Sequence, residues 1–75
     1  MNTAINTTYD NQNGTLYFSN EGDEYSCYFV VEIDDDDVDV LFHADQDSFD
    51  SFDEFREDIE SNFDSEIVSF LFGEN

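Results

Sequence analysis

Carboxylates are the one reactive group this chain carries in quantity. Among 75 residues there are 21 Asp and Glu against a single basic residue, Arg56, for a formal charge of −20. Their spacing is ordered. Asp53, Glu57, Glu60 and Asp64 recur at intervals of four, three and four, which on a helix makes one stripe, and Glu54 and Asp58 widen it. Helix neighbours at these intervals lie roughly 5–6 Å apart. Asp34, Asp35, Asp36 and Asp37 form a run that reads as a turn leading into a strand, and Asp35, Asp37 and Asp39 alternate through it. Residues two apart in a strand are separated by about 6.6 Å. Both spacings are close to that of successive phosphates along a DNA strand. Fixed rows of negative charge attract fixed positive charge, so the partner they imply is a protein surface lined with Arg and Lys. The same field repels nucleic acid and anionic membranes, and neither is expected as a direct ligand.

Other chemistries find less support. Residues 34–37, or Asp45, Asp47 and Asp50, could supply oxygen ligands to a hard cation. The EF-hand pattern fails, however: counting from Asp45, Asp50 stands where Gly is needed and Arg56 where the bidentate Glu is needed. No dedicated metal site and no cofactor is expected. His43 beside Asp45 is a conceivable acid–base pair, but a lone His at a strand end is more often structural. Cys27 shares a strand face with Phe29 and Val31 and reads as a small buried residue. With no Gly-rich phosphate loop, zinc-ligand set or nucleophile elbow, the chain does not read as an enzyme.

The elements that would position these groups form one α+β domain over residues 1–75, strands first and helices last. Residues 3–10 read as a weak strand or a frayed end. Asn13-Gly14 is a two-residue hairpin signal, and residues 21–23 mark a second turn. The clearest strand follows over 25–33, with Tyr25, Cys27, Phe29, Val31 and Ile33 on one face. After the turn at 34–37, residues 38–43 alternate Val38, Val40 and Phe42 against Asp39, Leu41 and His43. This predicts an antiparallel meander of three or four strands. Ser51 and Glu54 have the capping-box spacing, and Phe52, Phe55, Ile59 and Phe63 then follow on one helical face. One or two C-terminal helices should therefore pack on one side of the sheet. Residues 65–72 suit a short second helix, with a last strand as the alternative.

The chain has the means to fold despite its charge. Nine Phe, four Tyr and a 28% share of Leu, Ile, Val and Phe stand above the roughly 20% below which highly charged chains stay disordered. One sheet face must remain uncovered, so some of Tyr17, Tyr25, Tyr28, Phe42, Phe49 and Phe72 should be exposed. Two uses follow: a homodimer packed through the open face, or apolar anchors within the acidic surface, Phe49 and Tyr28 being candidates. A single Cys permits no internal disulfide, no signal peptide is evident after Met1 and no apolar run is long enough to span a membrane, which together suit a cytoplasmic setting.

In size, acidity and the pairing of a short sheet with an acidic helix, the chain resembles small phage-type DNA-mimic inhibitors: anti-CRISPR proteins, anti-restriction proteins and uracil-DNA glycosylase inhibitors. The resemblance covers the whole chain by type, without a signature motif, and rests most on residues 34–37 and the Asp53, Glu57, Glu60, Asp64 stripe. It implies a non-catalytic inhibitor that acts in the host cell by occupying the basic nucleic-acid groove of a defence nuclease. The alternative is an acidic partner or chaperone that shields a basic nucleic-acid-binding protein without copying DNA geometry. Salt adaptation, with no basic partner, is a third explanation of the charge.

Overall fold

The computed structural model describes residues 2–73, so that Met1, Glu74 and Asn75 lie outside the described residues. Four strands form a single antiparallel sheet in the order β1-β2-β3-β4: β1 (Asn2–Tyr9), β2 (Gln12–Glu21), β3 (Glu24–Glu32) and β4 (Val38–Asp45). A single 3-10 turn (Gln46–Ser48) leads to α1 (Phe52–Asn62), and α2 (Ser65–Phe72) follows. The expected α+β meander with C-terminal helices is the observed architecture, and residues 65–72 are helical. Among the described residues, no helix is long and apolar enough to cross a membrane.

Both helices lie on one face. That face carries Leu16, Phe18, Cys27, Phe29, Phe42 and Ala44 from the sheet, met by Phe55, Ile59, Phe63, Val68 and Leu71. Rings interlock through this layer, Tyr25 on Phe55 at 4.6 Å, Phe18 edge-on to Phe72 at 5.2 Å and Tyr9 on Phe63 at 5.3 Å. Aromatic area is what lets so short and charged a chain bury a core. Among the described residues no polar or charged residue is buried.

The first hairpin corrects the sequence reading. Its turn is Asp10-Asn11, with φ of 52° and 64°, and Asn13-Gly14 lies inside β2, paired with Thr8 and Thr7. Two positive-φ residues are what a two-residue hairpin with the right twist requires, and Asn and Asp tolerate that region best after Gly. Gly14 is there for a different reason. A Cβ on it would stand 2.4 Å from the Val30 carbonyl oxygen and 2.7 Å from Cζ of Phe29. The ring of Phe29 closes over the bare backbone, where the sheet coils tightly enough for Tyr9 of β1 to reach Phe42 of β4 at 5.7 Å.

The last strand also departs from simple alternation. Phe29 pairs with Phe42 but Val30 with Val40, so Leu41 is an extra residue at a β-bulge. The bulge splits the expected Val38, Val40, Phe42 set. Val38 and Val40 face the open side and are 59% and 51% exposed, while Phe42 and Ala44 enter the core.

At α1 the Ser51 hydroxyl accepts from the Glu54 backbone N–H at 3.3 Å, as the capping box requires. The reciprocal bond reaches one residue further back, the Glu54 carboxylate accepting from the Asp50 N–H at 3.0 Å. The helix ends at Asn62. Phe63 is extended, with φ −133°, yet still buried. Asp64 occupies the N-cap position of α2, and Gly73 closes that helix at φ 70°.

Candidate functional site

The meander decides which acidic groups come together. Successive turns of an antiparallel sheet alternate between its two ends. The β1–β2 turn therefore shares an end with the β3–β4 loop, and the β2–β3 turn shares the other with the segment after β4. The pairing of Ser26 with Asp45 and the hydrogen bond from Tyr25 N–H to Gln46 Oε1 at 2.8 Å fix this second end. One pole thus holds Asp10, Glu32, residues 34–37 and Asp39. The opposite pole holds Glu21, Asp23, Glu24, Asp45, Asp47, Asp50, Asp53 and Glu54. Strands of eight to ten residues at about 3.3 Å each separate the poles by roughly 26–33 Å. This agrees with the 35 Å long axis of the molecule, the others being 26 and 20 Å.

The loop at the first pole is built rather than loose. One carboxylate oxygen of Asp34 accepts from the backbone N–H groups of Asp36 and Asp37 at 2.9 and 3.0 Å. The Asp37 carbonyl accepts from Ile33 N–H at 3.0 Å and closes the loop. Asp34 therefore acts as a scaffold, and Asp35, Asp36 and Asp37 are exposed around it. Asp39 lies opposite the core residue Val31, on the helix side of the sheet at the margin of the core, and is exposed.

On α1, Asp53, Glu57 and Glu60 are exposed along one flank, as their spacing predicts. Asp64 is exposed but does not belong to that helix; it sits past the break at Phe63, and the four-residue stripe of the sequence reading ends at Glu60. Glu54 and Asp58 are not part of the row either. Glu54 is turned toward Asp50, and Asp58 is half-buried on the opposite flank, near Cys27. The single cation is placed within the stripe: Arg56 donates from Nε to Glu60 at 2.8 Å and lies over the Phe72 ring at 5.3 Å. One negative charge of the flank is thereby balanced.

The other candidate groups make contacts within the fold. Asp45 accepts from Asp47 N–H at 3.0 Å and from the Ser48 hydroxyl at 3.1 Å, and its second oxygen lies 3.1 Å from His43 Nε2. The His43 ring stacks flat on Tyr28, centroids 4.7 Å apart and planes 4° from parallel. Among the described residues, no three His, Cys, Asp or Glu side chains are gathered as a metal site would need. Cys27 is fully buried, and burial, helped by the charge of Asp58, pushes its thiol up to about 12. Of the proposed anchors, Phe49 is half-buried and packs edge-on against Phe55, whereas Tyr28 is 37% exposed on the open face. Tyr17 is exposed there too, while Tyr25, Phe42, Phe49 and Phe72 turn toward the helices.

Sequence reasoning missed the second pole. Glu21 and Asp23 appeared there in a turn, Asp45, Asp47 and Asp50 as possible oxygen ligands, and Asp53 and Glu54 on the helix, with nothing to place them together. The signal that finds them is the strand count: with four strands in a meander, alternate turns must meet at one end. No protein-family model, no curated protein and no solved structure matches this chain, so its function has to be inferred from its own charge and shape.

Proposed function

We propose that this chain is a non-catalytic DNA mimic that binds the Arg- and Lys-lined nucleic-acid groove of a host defence nuclease, of the kind met in CRISPR or restriction systems, within the host cytoplasm. The observation that carries the reading is linear charge density. Setting aside Glu74, residues 2–73 hold 20 acids and one Arg, a formal charge of −19 over a 35 Å axis. Dividing 35 by 19 gives one charge per about 1.8 Å, against ~1.7 Å for duplex DNA. A groove shaped for about one turn of duplex would meet similar charge over similar length. Holding so much like charge together opposes folding, and its retention on ordered elements is consistent with a binding role.

The test uses host lysate passed over the immobilised protein and eluted with excess duplex DNA. The nuclease released is purified and assayed for DNA cleavage with and without the chain. Inhibition should compete with DNA and weaken at least about tenfold as salt is raised several-fold. It should be lost in the variant Asp35→Lys, Asp37→Lys, Asp39→Lys. Retention that duplex cannot displace, or inhibition untouched by that variant and by Asp53→Lys, Glu57→Lys, would end the proposal.

The division of charge into two poles favours a second reading, in which the chain shields a basic nucleic-acid-binding protein without copying the duplex. Moving acids between surface positions at constant net charge separates the two: shielding tolerates the change, and mimicry does not.

A further inference from the structure

The sheet face turned away from the helices has a different character from the rest of the molecule. Its two central rows, read across the strands, are Ala4, Tyr17, Tyr28, His43 and Asn6, Thr15, Val30, Val40. Neither row contains an acid, on a chain in which 21 of 75 residues are acidic. The acids that share this face, Glu21, Glu24, Glu32 and Asp45, all stand at strand ends. The centre also exposes apolar groups: Tyr17, Tyr28 and Val40 are 47%, 37% and 51% exposed, and Val38, at the strand end opposite Glu32, is 59% exposed.

We infer that this open face pairs with the same face of a second copy of the chain, forming a two-fold dimer. Three observations select that occupant. The first is charge. A basic partner finds no counter-charge in the two central rows, whereas two copies can meet there without opposing acid to acid. The second is shape. Between β1, β2 and β3 the face carries a shallow hollow of about 320 Å³, bordered by Ala4, Tyr17, Ser19, Ser26 and Tyr28. The exposed rings of Tyr17 and Tyr28 stand at the border of this hollow, so projecting groups and a hollow lie side by side on one surface, as a self-complementary contact requires. The third is area. Four strands at ~4.8 Å and eight residues at ~3.3 Å give a face of about 500 Å² in projection. Side chains standing out from it raise the area toward the ~800 Å² per partner of a standard interface. Sheets packed in this way form an ordinary sandwich, with the acidic poles at its rim.

The rim sets the sign of the salt effect. Acids at the strand ends of two copies repel, so dimerisation should strengthen as salt is added, with a Debye length falling from roughly 30 Å at 0.01 M to roughly 10 Å at 0.1 M. Binding to a basic groove should weaken over the same range, so either proposal can fail without the other.

Sedimentation velocity across protein concentration and salt reads the mass directly. The expected result is a rise from 8.7 kDa to twice that value. Dimer affinity should increase with salt, and fall by about tenfold or more in Tyr17→Ser, Tyr28→Ser. Because that variant could disturb the fold, unsubstituted protein is also followed by NMR, where concentration should move the amides of Ala4, Tyr17, Tyr28 and Val40 before those of the helices. A monomer at every concentration and salt overturns the inference. So does a dimer whose affinity and shifts leave these rows untouched. Protection of the face only when a basic partner is bound overturns it too, and assigns the surface to that partner.

Discussion

Replacing Gly14 by Ala tests the account of the first hairpin and of the sheet's coil. The new methyl would have to sit 2.4 Å from the Val30 carbonyl oxygen, 2.7 Å from the Phe29 ring and 3.0 Å from a Val31 methyl. The first of these is backbone and cannot swing aside, so β3 must move or the ring must leave its place. Overpacking of this kind costs about 1–3 kcal/mol, while the stiffer unfolded chain returns about 0.4–1 kcal/mol. The net loss should be about 1–2 kcal/mol. For a domain near this size, 1 kcal/mol shifts Tm by about 4–8 °C, which thermal unfolding followed by circular dichroism resolves. Loss of stability alone would not identify the cause, because a glycine in a strained turn would also resist substitution. The double variant Gly14→Ala, Phe29→Leu separates the two. Removing the ring relieves one of the clashes, so the pair should be less destabilised than the sum of the single variants by about 0.5 kcal/mol or more. Strict additivity, or a neutral Gly14→Ala, would refute the claim that Phe29 occupies the space of the missing side chain.

At the true turn, Asn11→Gly removes a side chain from φ 64° and should raise stability by about 0.5–1 kcal/mol in urea unfolding; a loss would argue against the Asp10-Asn11 turn. Cys27 should make stability fall as pH rises. Below pH 9 the thiol is protonated in both states, whereas between its ordinary value of 9.0 and about 12 the unfolded chain releases a proton that the native chain retains. That difference lowers stability by about 1.4 kcal/mol per pH unit in the window, and Cys27→Ala should lose this part of the slope. An unchanged slope would contradict the burial. Added salt should raise the Tm, because screening relieves repulsion among the acids more than it weakens the exposed Arg56–Glu60 pair. A Tm that falls with salt would show that the charges are net stabilising.

How far the sequence was legible depended on whether the signal was local. The start of α1 could be read because Ser51 and Glu54 mark it within four residues, and β3 because Cys27, Phe29 and Val31 alternate cleanly. Asn13-Gly14 misled because the glycine answers to Phe29, fifteen positions away, and a two-residue motif carries no trace of that ring. The bulge at Leu41 was equally hidden. It inserts one residue without changing composition, yet it moves Val38 and Val40 to the opposite face from Phe42. Phe63 fits the helical spacing and is buried as expected, but its backbone has already left the helix, which takes Asp64 out of the stripe. The acids of the candidate surface were each visible, while their grouping into poles was not, since it depends on which turns share an end.

The position of Arg56 bears on how the protein survives in a cell and in the laboratory. The chain has no lysine, so proteases that cleave after basic residues have one target bond, following Arg56. That bond lies inside α1, with the side chain held by Glu60 and Phe72. Cleavage therefore needs the helix to open, and its rate at low protease reports how often that happens. The same lack of lysine leaves no side-chain amine for acylation or for isopeptide tagging, so the usual routes of marking a protein for destruction cannot act through its side chains. A surface with so few cations thus leaves the chain hard to cut after basic residues and hard to label at side-chain amines.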